Sequence, residues 1–442
     1  MVSIESGSRR GGWTEGLTRN HWRVLAAAFL GWIFDGYETY ALISVIGPAL
    51  LTLLPASEHS RLSVYAGLAI GITLLGWAVG GVVGGIVTDY LGRKRMMLIS
   101  ILGYAIFTGL TALSTSFLML VSLRFLTGLF LGSEWGTGTA LVAEVWPTKA
   151  RPKGAGFMQS GFGFGALLAA LVWYILQPLG PDSWRWVFLF GVIPAFFVLY
   201  IRRNIDESEK WVSALREHRW SATEADVDSV SKDEKRPFTL SQVLSEPRSR
   251  KRVLLALVMS LATTLGWWSI ATWIPGFVGG VAKAAGLNAA HYSSLAGILY
   301  NIGAIIGYLT AGFVADWLGR RWYIALLMAG GFIMTPVFYL WTHSLNWLLI
   351  WTVVNAYFTL GSFAWMAIYL PELFATHLRA TASSFVFNAS RFLAFLGPIF
   401  AGSLIATFHG APRVAVTFAF IYIVGLVVVP FIPETRGKPL PE

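Results

Sequence analysis

The chain has 442 residues, is 55% hydrophobic with a mean hydropathy of +0.62, and is only 13% charged, too few charges to coat a water-soluble surface of ordinary density. This excludes the soluble classes and places the chain in a bilayer. The formal charge of +10 is dispersed among hairpins rather than gathered on one module, which argues against a nucleic-acid partner, and the absence of cysteine excludes disulfides and thiolate metal sites.

In chain order, residues 1–22 with SGSRRGG read as a tail, and an N-terminal six-helix bundle follows over 23–202. Windows long enough to cross roughly 30 Å of hydrocarbon place its helices at about 23–50, 64–88, 96–114, 116–143, 154–177 and 184–201. The first run is too long for a signal-peptide core and lacks a small-residue cleavage site, so it stays as the first span. Residues 203–251 are too polar for a core and form a central loop, in which Glu207, Lys210, Trp211 and Leu215 mark a short interfacial helix. The C-terminal bundle, 252–433, has helices at about 252–279, 291–315, 322–341, 345–369, 380–408 and 412–432, and 434–442 is the second tail. The fold class is an all-α membrane protein of twelve spans in two six-helix bundles.

Two repeated motifs tie the bundles together. GGIVTDYLGRKR and AGFVADWLGRRW share a glycine, an aspartate four positions on, then Gly-Arg; AEVWPTKARPKG recurs as PELFATHLRATA with the same Glu-to-Arg spacing. A charged D-x-x-G-R hairpin at the end of an apolar run requires that the chain has left the hydrocarbon. Of the 33 Lys and Arg residues, 27 fall on the side of the termini and the central loop and four on the other (Arg61, Arg185, Lys283, Arg413), which predicts cytoplasmic termini. A duplicated half-molecule of this kind is how transporters build a site between two bundles.

These motifs, with RFLTGLFLG at Arg124 to Gly132, resemble the major facilitator superfamily over all twelve helices. More narrowly, DGYETYAL, LGSEWGTGTALVAEVWPTKARPKGAGFMQSGFGFGALLAA and RRNIDESEKW look like the sialate:proton and aromatic-acid:proton symporter families. The resemblance implies a bacterial inner-membrane importer of organic acids, active as a single polypeptide and without a cofactor.

The loop motifs read as a cytoplasmic gate: Asp89, Arg93, Glu144 and Arg151 in the first half, and Asp316, Arg320, Glu372 and Arg379 in the second, with charge-assisted contacts that latch in one state and release in another. A competing reading gives these residues only tight-turn and topology roles.

Asp35, Glu38, Arg124, Glu134 and Arg391 fall inside spans, where each ionised group is costly unless paired or facing water. Asp35 and Glu38 share one face of the first helix. Glu38 with Arg124 is the preferred proton-coupling pair, and GYET with helix-4 RxxxGxxxG is similar to the pairing in proton-coupled sugar porters; Asp35 and Glu134 are further proton sites. A permanent structural ion pair is the alternative. Arg391 cannot shed its proton and needs an anion, from a substrate carboxylate or from Glu134 or Asp35. Asn388, Gln159, Trp135, Trp267, Trp268, Tyr300, Asn301, Asn355 and Trp365 complete the expected substrate cavity, while Gly161, Gly163 and Gly165 serve close helix packing.

The function expected is import of a small organic anion, a monocarboxylate such as a sialic, aromatic or short aliphatic acid, together with protons. The alternatives are a proton-coupled sugar porter, an efflux antiporter of the same fold, and a transceptor or structural membrane protein. No nucleophile and base, metal cluster or phosphate loop points to an enzyme.

Overall fold

The computed structural model describes residues 12–197, 239–342, 344–374, 376–408 and 410–441. The side chains of Asp89, Arg93 and Glu144, and the interfacial segment expected around Trp211, lie outside the described residues. The helices are α1 (Arg19–Leu53), α2 (Leu62–Leu91), α3 (Arg93–Thr111), α4 (Phe117–Leu131), α5 (Glu134–Val145), α6 (Arg151–Leu176) and α7 (Trp184–Phe190). After the central loop come α8 (Thr239–Ser245), α9 (Pro247–Ile270), α10 (Ile274–Ala284), α11 (Ala289–Leu318), α12 (Arg320–Pro336), α13 (Leu345–Phe358), α14 (Ala364–Leu373), α15 (Thr376–Ala389), α16 (Arg391–Ala394), α17 (Leu396–Phe408), α18 (Ala411–Ala419) and α19 (Ile421–Val428).

Several spans expected as single helices are broken. The fourth is α4 and α5, interrupted at Gly132–Ser133. The eleventh is α15, α16 and α17, interrupted at Ser390 and Phe395; the tenth is α13 and α14, and the twelfth α18 and α19. The seventh starts at Pro247 and runs on through α10, with a one-turn break at Ala271–Trp273. Broken helices survive in a bilayer only where the freed backbone groups find partners inside the protein. At the break the Phe387 carbonyl accepts from Ser390 Oγ at 3.2 Å, and that hydroxyl is itself held by Ser260, which donates to it at 3.0 Å, and by Thr264 at 3.3 Å.

The duplication is visible in three dimensions. Gly92 and Gly319, the motif glycines, take φ of 94° and 91°, a region that L-residues avoid, and each closes its preceding helix with an N–H donated four residues back, to Thr88 and Ala315. Arg151 donates to the Ala143 carbonyl and Arg379 to the Pro371 carbonyl, eight residues back in each half. Packing repeats as well, since α2 lies along α4 as α11 lies along α13.

The halves meet along two seams, α6 against α11 and α2 against the eleventh span. Glycine sets both. A Cβ at Gly156 would overlap the Tyr308 carbonyl of α11, one at Gly163 would meet Ile305 of α11, and one at Gly81 would overlap Asn388. Close backbone approach of this kind substitutes for the hydrophobic effect, which lipid does not supply between helices. Leu118, Ile175, Phe196, Trp317, Trp322 and Trp341 are exposed on the outer surface, where acyl chains and headgroups rather than water are the solvent.

Candidate functional site

The intramembrane charges form two separate clusters. In the first, α1 presents Glu38 to Arg124 of α4: Arg124 Nη1 lies 3.5 Å from Glu38 Oε2, and both are buried. Three threonines complete the coordination. Arg124 donates through Nη2 to Thr108 (2.8 Å) and Thr127 (2.9 Å) and through Nε to Thr111 (3.1 Å), while Thr108 donates to Glu38 Oε2 at 2.5 Å. The guanidinium also sits 4.7 Å from the Phe188 ring centroid. This pair is compact and neutral, with Glu38 Oε1 left without a hydrogen bond.

In the second cluster, Asp35 of α1, Glu134 at the first turn of α5 and Arg391 at the start of α16 converge although they belong to three broken or distant elements. Asp35 interacts electrostatically with Glu134 and Arg391. No N–H or hydroxyl donor reaches either oxygen of Asp35 or of Glu134, all four of them buried, and Glu134 packs against α1 at Gly31, one turn before Asp35. Arg391 is 2% exposed. Its Nη1 donates to the Phe387 carbonyl, its Nε has no partner, and its guanidinium lies 4.6 Å from the Trp77 centroid and 4.1 Å from that of Phe387. Aromatic faces on either side stabilise a cation without neutralising it.

Arg391 borders a small closed cavity lined by Trp32, Trp77, Gln159, Phe162, Trp267, Tyr308, Leu360, Phe363 and Phe387. These come from seven spans and both halves, and Trp77 lies about 22 Å along α2 at 1.5 Å per residue, near its middle. Trp135 forms the wall behind, stacked on Phe387 at 3.6 Å and 10° and donating to Gln159 Oε1 at 3.0 Å.

Of the residues expected in the cavity, Arg391, Gln159 and Trp267 line it. Trp268 is buried beside Trp267. Tyr300 bonds to Thr359 (2.6 Å), Asn301 donates to the Gly297 carbonyl (2.8 Å), Asn355 donates to Thr335 (3.5 Å), Trp365 donates to Thr263 (3.0 Å) and Asn388 donates to the Ser384 carbonyl (2.9 Å); these five sit in the helix packing around it. Trp32, Trp77, Phe162, Tyr308, Phe363 and Phe387 were missed. An aromatic residue inside an apolar span carries no mark separating cavity from lipid; only the glycines around Trp77 hinted that its helix was inside.

Both ends of the cavity are shut. At the motif end Lys153 of α6 meets Asp316 of α11 across the halves. Arg320 bonds Asp316 (2.6 Å) and, as a fork, Glu372 (2.8 and 3.1 Å), to which Thr435 also donates (2.5 Å). A Cβ at Gly312 would reach the Pro152 carbonyl at 2.6 Å. At the opposite end Gly67 abuts the Pro398 carbonyl, Gly402 abuts that of Ser63, and Gln177 donates to Ser294 at 3.4 Å. Glu434 holds the second tail to this hairpin, accepting the N–H groups of Arg320 (3.0 Å) and Arg321 (3.1 Å). Its partial burial would raise its pKa, but four backbone donors outweigh that and hold it below the usual glutamate range.

A family model described as sugar (and other) transporter matches residues 24–442. The cis,cis-muconate transport protein of Acinetobacter baylyi is 28% identical over 95% of this chain and 96% of its own length. The niacin transporter NiaP of the same organism is 26% identical over 95% of each. Among solved structures, that of the major facilitator superfamily proton:xylose symporter XylE bound to 6-bromo-6-deoxy-D-glucose superposes with a TM-score of 0.71 at 20% identity, covering 95% of this chain and 97% of that one.

Proposed function

The chain belongs to the sugar (and other) transporter family of the major facilitator superfamily, and from that premise we propose that it imports a small organic anion with protons by alternating access, its termini in the cytoplasm of a bacterial inner membrane. It is a transporter, not an enzyme. The observation that carries the substrate class is Arg391: a buried guanidinium at an aromatic cavity between the halves, with no carboxylate of the described residues bonded to it. A ligand carboxylate is the group whose geometry matches that fork.

The lining narrows the class. Beyond Arg391 its polar groups are Gln159, the Tyr308 hydroxyl and the indole N–H groups of Trp32, Trp77 and Trp267, and seven aromatic side chains surround the space. That suits a flat, unsaturated monocarboxylate better than a polyhydroxylated sugar, which requires many more partners. In this closed state the free space among the rings is no larger than about one water molecule, so a ring-sized acid and a sialic acid alike require the halves to part, and the lining rather than the volume selects the class. A relative named for niacin, an aromatic monocarboxylate, agrees with this class, and one named for cis,cis-muconate shares the flat unsaturated frame but adds a second carboxylate.

Asp35 and Glu134, which no cation pairs directly, are the carboxyl groups available to move protons with the substrate, Glu38 being matched by Arg124, and the Lys153–Asp316 latch with the Arg320–Glu372 fork is the cytoplasmic gate. The test is uptake of radiolabelled benzoate, nicotinate, cis,cis-muconate and xylose into proteoliposomes with and without an inward proton gradient. Accumulation of an aromatic acid, but not xylose, driven by the gradient is the expected result; uptake indifferent to the gradient ends the symport reading.

A further inference from the structure

Resting on the anion-transport reading, we infer that Asp35 and Glu134 act as one acid, a carboxyl dyad holding a single shared proton beside the empty Arg391, and that this dyad takes up the second proton when an anion arrives. The Glu38–Arg124 pair then supports the structure and does not exchange the proton that travels with substrate.

Charge balance in a dry site carries the argument. The groups facing the dyad are Glu38 on its own helix, Tyr104 of α3 and Arg391 of α16, and among these only Arg391 is a cation not already paired. Gln159 of α6 is neutral. If both carboxyls were ionised, two like charges would adjoin one arginine, with none of their four oxygens hydrogen-bonded, and like charges that close cannot both persist in low dielectric. Two positive fields, the α5 N-terminus at Glu134 and Arg391 at Asp35, compete for the one negative charge the cluster can hold. With one proton between the acids the cluster is neutral. A carboxylate ligand that occupies the Arg391 fork displaces Asp35 as its counter-ion, leaving one negative charge in excess, and a second proton on the dyad restores neutrality. Glu38 offers no equivalent, since its charge is matched by Arg124 whether the cavity is full or empty.

Infrared spectroscopy of the purified full-length protein tests the dyad without any ligand. At neutral pH the wild type and Glu38→Gln should both show the C=O stretch of a protonated carboxyl, and Glu134→Gln should lose it, because Asp35 alone with Arg391 ionises. A wild type without that band, or a Glu134→Gln variant that keeps it, overturns the inference. Calorimetry with benzoate, in buffers of different ionisation enthalpy, tests the coupling: about one proton taken up per benzoate in the wild type and Glu38→Gln, and none in Asp35→Asn/Glu134→Gln. Proton uptake retained by that double variant, or a sodium requirement at constant pH, refutes the dyad as carrier. Failure of benzoate and the other acids to bind the wild type strikes at the substrate reading instead, and the infrared result still decides whether the proton is shared.

Discussion

Replacing Arg391 by lysine keeps the charge and removes the fork. The guanidinium lies between Trp77 and Phe387, at 4.6 and 4.1 Å from their centroids, with Nη1 on the Phe387 carbonyl and Nε unengaged. That leaves an edge free to meet a carboxylate with two parallel hydrogen bonds, whereas an ammonium on a flexible stem makes one and sits less well between the rings. A charge-assisted hydrogen bond contributes about 1.5–3 kcal/mol, and each 1.4 kcal/mol is tenfold in affinity, so Arg391→Lys should weaken benzoate binding about 10- to 150-fold. Isothermal titration on the purified protein measures this, with benzamide, the same ring without the negative charge, as the control that should change by much less. A lysine variant that binds benzoate within about threefold of wild type would show that the fork does not hold the carboxylate.

Glu38→Gln leaves the Arg124 charge buried and unbalanced, a change that costs about 3–5 kcal/mol; its thermal midpoint should fall sharply, and Glu38→Gln/Arg124→Gln should recover part of the loss in a double-mutant cycle. Lys153→Glu sets a like charge against Asp316 in a contact only partly buried, worth up to about 1 kcal/mol, and should open the motif end several-fold. Because the chain has no cysteine of its own, a single Leu360→Cys in the cavity wall reports this as faster thiol labelling, and adding Asp316→Lys should reverse it. Glu434, lowered by its backbone donors, anchors the second tail fully above the ordinary glutamate value of about 4.3, and that contribution is lost as pH falls through its lowered folded value. Proteolysis of the tail should accelerate over that acidic window and be fast at all pH values in Glu434→Gln.

How much was legible in the sequence depended on whether the determining interaction was local or repeated. The twelve spans, the two bundles and the hairpins at Gly92 and Gly319 followed from hydropathy and a motif written twice, because each is decided within a few residues. The Glu38–Arg124 proximity followed from helix faces and depth. That Arg391 meets Asp35 and Glu134 was one of two readings the sequence left open; what did not follow were the helix interruptions at Ser133 and Ser390, which no proline or glycine run announces at the latter site. Ser260 and Thr264, on another span, stabilise that break. The aromatic lining escaped for a related reason: Phe387 and Trp77 become cavity walls only through glycine contacts between halves, and a hydropathy window scores them as it would a lipid-facing ring.

The seams themselves have a mechanical consequence. At Gly67, Gly402 and Gly312 a bare α-carbon rests on a carbonyl oxygen or backbone of the other half. Such a joint behaves like a smooth bearing: one end can part while the other stays in register, and no hydrogen-bonded backbone pair is broken at the glycines in the stroke. The cost of tilting then falls on the polar contacts at the rims and the aromatic contacts around the cavity, such as Trp135 on Phe387, so that cargo held among those rings can decide which side swings open.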